Sequence, residues 1–204
     1  MPCKLKKGIE MIRRYKESKK DIYVEVTPHH LFLTKDDEKN AFFLMKPELK
    51  TKQDQDALWK AIDEGIVDRI ATDHAPHTKD EKNSENPPYG IPGLETMLPL
   101  LLDAVNNGKL SLNKLVELTV ENPVKMLNIK NKGKIKQGFD ADLTVVDMNK
   151  EKAVKNEELF TKCRWSPWNG KTLRGWPITT IVNGNIVFEQ GTMKDIKAKE
   201  LTFN

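Results

Sequence analysis

Residues 66–77 read IVDRIATDHAPH, an apolar run that passes directly into ionisable side chains. The apolar part predicts a β-strand that ends where the charges begin. An earlier stretch, IYVEVTPHH at 22–30, has the same form. A helix is predicted between them over about 54–64, with acids in its first turn and a glycine after its end. Strand, helix, strand at this spacing is typical of βα units, so the sequence predicts an α/β fold with a parallel sheet.

Ionisable side chains follow both predicted strands. Asp73, His74 and His77 come after the second strand, and His29 and His30 come after the first. The carboxyl ends of parallel strands lie at one edge of a sheet, where α/β barrels and doubly wound sheets place their chemistry. We therefore expect a functional site at this edge.

Length and composition exclude several classes of protein. The chain has 204 residues, of which 38% are hydrophobic and 31% charged, with a formal net charge of +4. These values exclude collagen, a disulfide miniprotein and a wholly disordered chain. No apolar run approaches the roughly 20 residues of a membrane-spanning helix, and the start lacks a secretory signal, so we expect a cytoplasmic protein that does not bind membranes. Cys3 and Cys163 form no C-x-x-C pair, which gives no support for a cysteine zinc site.

The first twenty residues are strongly basic and leave two interpretations open. A surface for nucleic acid or an acidic partner is one of them. The other is an amphipathic helix over about 6–19, with Ile9, Ile12, Tyr15 and Met11 as its buried stripe and a solvated charged face. We favour the helix, and no nucleic-acid partner, because the segment lacks aromatic residues interleaved with glycine for base stacking.

Between the second predicted strand and Gly133 the sequence predicts a loop and two helices. The loop, at 78–93, is charged, proline-rich and long enough to act as a lid, and the helices are predicted at about 94–106 and 112–122. Beyond Gly133 the residues favour short strands, including 143–146 and a hairpin at 179–188 whose Asn183-Gly184 pair is typical of a type I′ turn. We place a domain boundary near Asn131, giving domains 1–131 and 132–204.

The residue types alone point to metal-assisted hydrolysis but do not decide it. A divalent ion acidifies its bound water, and a carboxylate such as Asp73 takes the proton. However, D-H-x-x-H is an incomplete ligand set. His29 and His30 could simply bind loop carbonyls, and Lys46 could be an ordinary solvent-exposed lysine. His77 could be an ordinary loop histidine or could contact an anionic substrate group. Asp73 is harder to explain structurally, because an acid at the end of an apolar strand needs a charge partner or donors.

Several long strings resemble the dihydroorotases of pyrimidine synthesis, which belong to the amidohydrolase superfamily. They are EVTPHHLFLT (25–34), KPELKTKQDQDALW (46–59), ATDHAPHTKDEK (71–82) and PPYGIPGLETMLPLLL (87–102). The string GKIKQGFDADLTVVD (133–147) is similar to the C-terminal segment of many amidohydrolases. The resemblance covers nearly the whole chain and implies the C-terminal part of a (β/α)8 amidohydrolase barrel followed by a small β module.

The resemblance also implies roles for individual residues. Asp73 matches the family's aspartate after the eighth strand, which ligates a metal of a binuclear zinc site and carries the proton. His77 matches a histidine that contacts the substrate carboxylate, and Tyr89 and Gly90 lie where the family's loop offers backbone groups to the pyrimidine ring. Lys46 stands where relatives have an arginine or asparagine that touches the substrate. The substrates implied are carbamoyl aspartate and dihydroorotate. His29 and His30 belong to a family motif that is not among the metal ligands.

The departures from the family pattern are equally informative. The first-strand H-x-H pair, the bridging residue of the fourth strand and the histidines of the fifth and sixth strands are missing from this sequence. Pro2 occupies the place of the sixth-strand histidine. A complete barrel takes about 250 residues. We therefore expect this chain alone to be inactive and to need a separate N-terminal half or association with further copies.

Two other interpretations remain open. The chain could be a non-catalytic remnant that binds a partner, for example aspartate carbamoyltransferase. It could also have hydantoinase or allantoinase specificity, although D-H-A-P-H and P-G-L-E-T favour dihydroorotase.

Overall fold

A computed structural model describes residues 4–18, 22–197 and 199–203. It divides the chain into two compact units. The first comprises Met1–Met97 and Ala153–Lys171, and the second comprises Leu98–Lys152 and Thr172–Asn204. The boundary expected near Asn131 differs from this division and stays a prediction. Cys3, the Met1-Pro2 motif position and the basic residues Lys19 and Lys20 lie outside the described residues.

The first unit contains the predicted parallel strands. Its helices and strands are α1 (Lys4–Glu17), β1 (Glu25–Val26), α2 (Pro28–Phe32), α3 (Lys52–Asp63), β2 (Arg69–Ile70) and α4 (Lys79–Lys82). Single 3-10 turns lie at Lys35–Asp37, Ala41–Phe43 and Asn156–Glu158. β1 and β2 pair in parallel with Val26 opposite Ile70, which confirms the predicted pairing. The strands are shorter than predicted, because beyond them only single bonds extend the ladder, such as that from the Ala71 amide to the Val26 carbonyl.

α1 confirms the amphipathic helix at the basic N-terminus, with one correction. Ile9 and Ile12 are half-buried, but Met11 and Tyr15 are exposed, so the buried stripe is narrower than predicted. The charged face is partly paired: Arg13 bonds Glu64 at 2.6 Å, and Lys16 bonds Asp68 at 2.6 Å. These cations therefore hold α1 against its own unit.

Two short helices replace predicted loops. Pro28 starts α2 directly after β1, because Thr27 caps the helix and proline is favoured in a first turn. His29 and His30 thus lie on a helix, whereas the sequence predicted a strand end. α4 occupies part of the predicted loop 78–93, since Thr78 and Glu81 form a capping box. The predicted helix α3 is confirmed, with a Thr51–Asp54 capping box and Gly65 at a positive φ of 70°.

The second unit begins with helices and ends in a sheet. Its helices are α5 (Met97–Asn106), α6 (Leu112–Val116) and α7 (Asn122–Met126), with a π-helical segment at Glu117–Glu121. The predicted 112–122 helix thus extends to Met126. Pro123 accompanies the π-helical segment because its missing N–H interrupts the i to i−4 ladder. Leu100, Leu101 and Leu118 are fully buried and form part of the core of this unit.

The sheet of the second unit contains β3 (Leu143–Ala153), β4 (Thr172–Val182), β5 (Asn185–Glu189) and β6 (Thr192–Met193) in that order. The predicted hairpin is confirmed: β4 and β5 are antiparallel with Val182 opposite Asn185. Asn183 and Gly184 have φ values of 49° and 77°, as a type I′ turn requires. β3 is longer than the predicted strand at 143–146. In the described part of the chain, no helix is both long and apolar enough to cross a membrane.

Candidate active site

The residues that follow β1 and β2 bring Asp73 and His29 together. Asp73 lies three positions beyond β2, and its backbone has a positive φ of 46°. Its side chain is 54% exposed, and His29 Nε2 lies 4.0 Å from Asp73 Oδ2. The prediction that the two polar clusters share one edge of the sheet is therefore confirmed for these residues. Asp73 is therefore exposed to water and has no buried charge partner among the described ion pairs.

His29 is a buried, neutral histidine. Its side chain is only 3% exposed, and burial, aided by neighbouring His30, lowers its pKa to about 3. The contact with Asp73 is therefore not an ion pair at neutral pH. His29 Nε2 has no hydrogen-bond partner among the described residues. An unsatisfied ring nitrogen thus faces the Asp73 carboxylate.

His30 has a structural role, as one of the sequence-based interpretations proposed. Its Nε2 donates to the Pro47 carbonyl at 3.0 Å, and its Nδ1 accepts from the Thr27 hydroxyl at 2.7 Å. Because a carbonyl only accepts, this pairing assigns the ring proton to Nε2. Burial is the main cause of the lowered pKa of His30.

His77 is held in place through the residues around it. Its Nε2 donates to the Tyr89 carbonyl at 3.1 Å. Its own carbonyl accepts a 2.6 Å hydrogen bond from the buried Trp165 indole. His74 instead accepts the backbone N–H groups of Gly93 and Leu94 at Nδ1, so it anchors the loop before α5. The structure thereby separates the two histidines of D-H-A-P-H by role.

Lys46, Tyr89 and Gly90 lie close together in the structure. The Lys46 ammonium is 4.2 Å from the centroid of the Tyr89 ring, and the Gly90 amide donates to the Leu44 carbonyl at 2.9 Å. Gly90 has a φ of 124°, and a Cβ there would lie 2.5 Å from Ala75 Cβ. This close approach requires glycine.

A cavity of about 440 Å³ joins Asp73 to Lys46. Its lining also includes Thr27, His30 and Gln55. His77, Tyr89 and Gly90 are not among its lining residues. The structure therefore connects Lys46 both to this cavity and to the Tyr89 loop, whereas His77 contacts the Tyr89 loop and does not line the cavity.

Lys82 is the most unusual polar residue near these loops. It is fully buried, and its ammonium lies 2.9 Å from the Pro88 carbonyl and 3.1 Å from the Gly90 carbonyl. A third, longer contact of 3.4 Å reaches the Leu44 carbonyl. Burial lowers the pKa of this ammonium. Three backbone carbonyls from two segments thus converge on one cation.

The described residues do not fit a complete zinc centre. Among them, no group of three or more His, Cys, Asp or Glu side chains is arranged to hold a metal ion. A catalytic zinc site normally needs three protein ligands besides its water. Asp73 is an accessible carboxylate, but one carboxylate beside one buried imidazole falls short of that number.

Sequence reasoning missed Lys82 and Trp165 as contributors to the site. Lys82 stands among charged residues at 79–82 and has the pattern of a solvated helix end. Trp165 lies in a proline- and tryptophan-containing loop about 90 residues along the chain from His77. Nothing in the local pattern signals either contact. For His74, the strand-end position was a signal, although the sequence did not show which groups its ring would bind.

A family model described as the amidohydrolase family matches residues 9–187. The chain belongs to the amidohydrolase family. This amidohydrolase is similar to the dihydroorotase of Pyrococcus furiosus, with 48% identity over 167 residues that cover 81% of this chain and 39% of that protein. It is 38% identical to the multifunctional protein CAD of Squalus acanthias over 91% of this chain and 8% of that protein.

A solved structure gives the same fold. The L-hydantoinase (dihydropyrimidinase) of Arthrobacter aurescens aligns with a TM-score of 0.87 and 30% identity, over 93% of this chain and 44% of that chain. The amidohydrolase thus spans about two fifths of the dihydroorotase and of the hydantoinase, consistent with the expected match to a C-terminal portion. Its mixed α/β content agrees with the predicted α/β class.

Proposed function

We propose that this amidohydrolase is a dihydroorotase-like cyclic amide hydrolase of pyrimidine biosynthesis, which interconverts carbamoyl aspartate and dihydroorotate. The observation that supports this proposal most directly is that the Asp73 carboxylate is exposed after β2 and lines a cavity together with Lys46. The 48% identity to a protein named dihydroorotase supports this choice of reaction. The fold would be the C-terminal part of a (β/α)8 barrel, with residues 132–204 as a β module.

Asp73 would carry the proton of the reaction. In ring opening, water adds to the amide carbonyl carbon, the carbon–nitrogen bond breaks, and the nitrogen gains a proton. A carboxylate can take the proton from the attacking water and return it to the leaving nitrogen. The exposure of Asp73 leaves it accessible to both groups. The reverse sequence closes the ring and releases water.

Lys46, His77 and the Tyr89–Gly90 backbone would hold the substrate. Lys46 supplies a cation suited to carbamoyl aspartate, although lysine lacks the two-pronged geometry of arginine. The Nε2–H of His77 is engaged by the Tyr89 carbonyl. His77 would therefore contact a substrate carboxylate through its other ring nitrogen, Nδ1.

The binuclear zinc site implied by the family would depend on ligands outside the described residues. A zinc ion supplies an acidified water when bound. Asp73 is the metal-ligand candidate in this chain, and the remaining ligands would come from an N-terminal portion. In this proposal the chain alone is inactive. The predicted cytoplasmic location remains a prediction.

A non-catalytic function is the second candidate. The specific observation in its favour is that the described residues contain no three-ligand group. Similarity to a multifunctional protein suggests that such a remnant would dock on another pyrimidine enzyme, with aspartate carbamoyltransferase as the proposed partner. Hydantoinase specificity is less favoured, because identity to the hydantoinase is 30% and identity to the dihydroorotase is 48%.

Complementation distinguishes these candidates. The chain would be mixed with zinc and the separately expressed remainder of the Pyrococcus furiosus dihydroorotase, and then assayed with dihydroorotate, dihydrouracil and hydantoin. We expect dihydroorotate to be opened fastest. Preference for dihydrouracil or hydantoin would overturn the substrate assignment. An assembled complex with no hydrolysis of any ring would favour the non-catalytic candidate.

A further inference from the structure

Lys82 connects two segments that are distant in sequence. It lies at the end of α4 with no exposed surface, and its ammonium reaches the carbonyls of Pro88, Gly90 and Leu44. The first two carbonyls belong to the loop before α5, and the third follows the 3-10 turn at Ala41–Phe43.

The chemistry of the contact favours a specific role. A lysine ammonium has three N–H donors and no acceptor, so three carbonyls match its full donor capacity. No carboxylate is paired with Lys82 among the described ion pairs, and the nearby Trp165 ring lies 5.9 Å away. Burying a cation is costly unless it is bonded. The hydrogen bonds to the three carbonyls therefore offset the cost of burying the Lys82 ammonium. The ammonium in turn holds the three carbonyls in place.

The bonded carbonyls lie beside the proposed substrate contacts. Pro88 and Gly90 flank Tyr89, and Leu44 is two residues before Lys46. The Gly90 amide also donates to the Leu44 carbonyl, so both segments meet at one point. Fixing these carbonyls also fixes the peptide groups that would face the ring of the substrate.

We infer that Lys82 is a positioning residue that clamps the Pro88–Gly90 loop to the Leu44 segment and so sets the substrate-binding wall. The link to substrate rests on the proposed function, whereas the clamp itself does not. Removing the ammonium frees both segments, and the loop carrying Tyr89 then exchanges between several positions.

Hydrogen exchange tests the clamp without any substrate. In Lys82→Met, the Gly90 amide should exchange at least about tenfold faster than in the unaltered chain, while the amides of α3 keep their rates. Lys79→Met, on the exposed face of the same helix, is the matched control and should change neither. Lys82→Gln, which keeps two donors, should fall between the other two variants.

The result that overturns the clamp is equally specific. Unchanged exchange at Gly90 in Lys82→Met would exclude it, and so would an equal acceleration throughout α3 and the loop, which indicates general destabilisation. If Lys82→Met does not fold, Lys82→Gln decides by the same criteria.

A kinetic measurement then tests the link to substrate. In the complemented enzyme, Lys82→Met should raise KM for dihydroorotate about tenfold and change kcat by less than about threefold, because the wall binds but does not react. An unchanged KM with altered exchange would separate the clamp from substrate binding and overturn that link. If the complemented enzyme does not act on dihydroorotate, the proposed function fails, and exchange at Gly90 still decides the clamp.

Discussion

Asp73 combines an exposed carboxylate with a left-handed backbone. A positive φ is uncommon outside glycine, although Asp and Asn adopt it more readily than other residues. The side chain is accessible and lines the cavity. Asp73 therefore combines an accessible position beside the cavity with a group that can accept a proton.

Asp73→Asn is predicted to remove turnover while preserving the fold. Asparagine has the same shape and tolerates the same backbone, but it cannot accept the proton, so kcat of the complemented enzyme should fall at least about 100-fold. Steady-state kinetics and circular dichroism measure the two effects. Asp80→Asn, at an exposed position on α4, is the control and should behave like the unaltered chain. Full activity of Asp73→Asn would exclude the proposed proton carrier.

Gly90→Ala and Gly8→Ala are predicted to have opposite effects on stability. At Gly90 a Cβ would meet Ala75, so the substitution should lower the free energy of unfolding by about 1–3 kcal/mol. At Gly8, in α1, a Cβ meets nothing within 4 Å, and alanine should raise that free energy by about 0.5–1 kcal/mol. Urea denaturation measures both. Equal effects at the two sites would contradict the close approach at Gly90.

The sequence allows part of the candidate site to be predicted at this scale. The position of Asp73 near His29 follows from their places after the two predicted strands, and the candidate roles of His77 and Tyr89 follow from the family resemblance, whereas the hydrogen bond between these two residues was not predicted. Lys82 does not, because a buried lysine has the same local pattern as a solvated one until tertiary packing places carbonyls around it. Exposure of Asp73 was likewise undetermined, since burial depends on residues distant in sequence.

At the scale of elements, strong local signals gave correct predictions. The Asn183-Gly184 turn and α3 are specified by their own residues, through backbone conformation and capping. Elements that depend on competing local effects were missed. Pro28 converts a strand end into α2, and Pro123 accompanies the π-helical segment before α7. β1 and β2 are short because they pair with each other over only two residue pairs. The longer apolar runs in the sequence do not show where this pairing ends.

Asp142 connects Lys132, in the loop after α7, to Asn183 in the β4–β5 turn. Asp142 accepts the Asn183 amide at 2.7 Å and the Lys132 ammonium, which also lies 3.1 Å from Asp140. Burial acts to raise the pKa of Asp142, but these donors outweigh it and hold the pKa below its ordinary value of 3.8. The pair therefore stabilises the fold above about pH 4, and this contribution is lost as pH falls through the lowered pKa.

Asp142→Asn is predicted to remove that pH-dependent stabilisation. At pH 7 the free energy of unfolding of the variant should be lower than that of the unaltered chain by on the order of 1 kcal/mol, a small effect because water screens the pair. Near pH 2 the difference between the two proteins should shrink. Urea titrations at both pH values measure it. Asp195→Asn, at an exposed position, should show little change at either pH. A difference that grows on acidification would contradict the sign of the effect.

At the scale of the whole molecule, the proposed function assigns a proton carrier and a substrate wall to this chain, whereas its described residues contain no three-ligand metal group. Several ligands must share the cost of removing water from a zinc ion, so a single carboxylate binds it weakly. The match to about two fifths of a dihydroorotase is consistent with ligands supplied by another portion of chain.

Zinc stoichiometry of the purified chain tests this account most directly. After equilibrium dialysis against micromolar zinc, atomic emission should find far less than one ion per chain, and addition of the complementary portion should raise the value towards two. One or two zinc ions bound tightly by the chain on its own would contradict the claim that it contributes a wall of the site without building the metal centre.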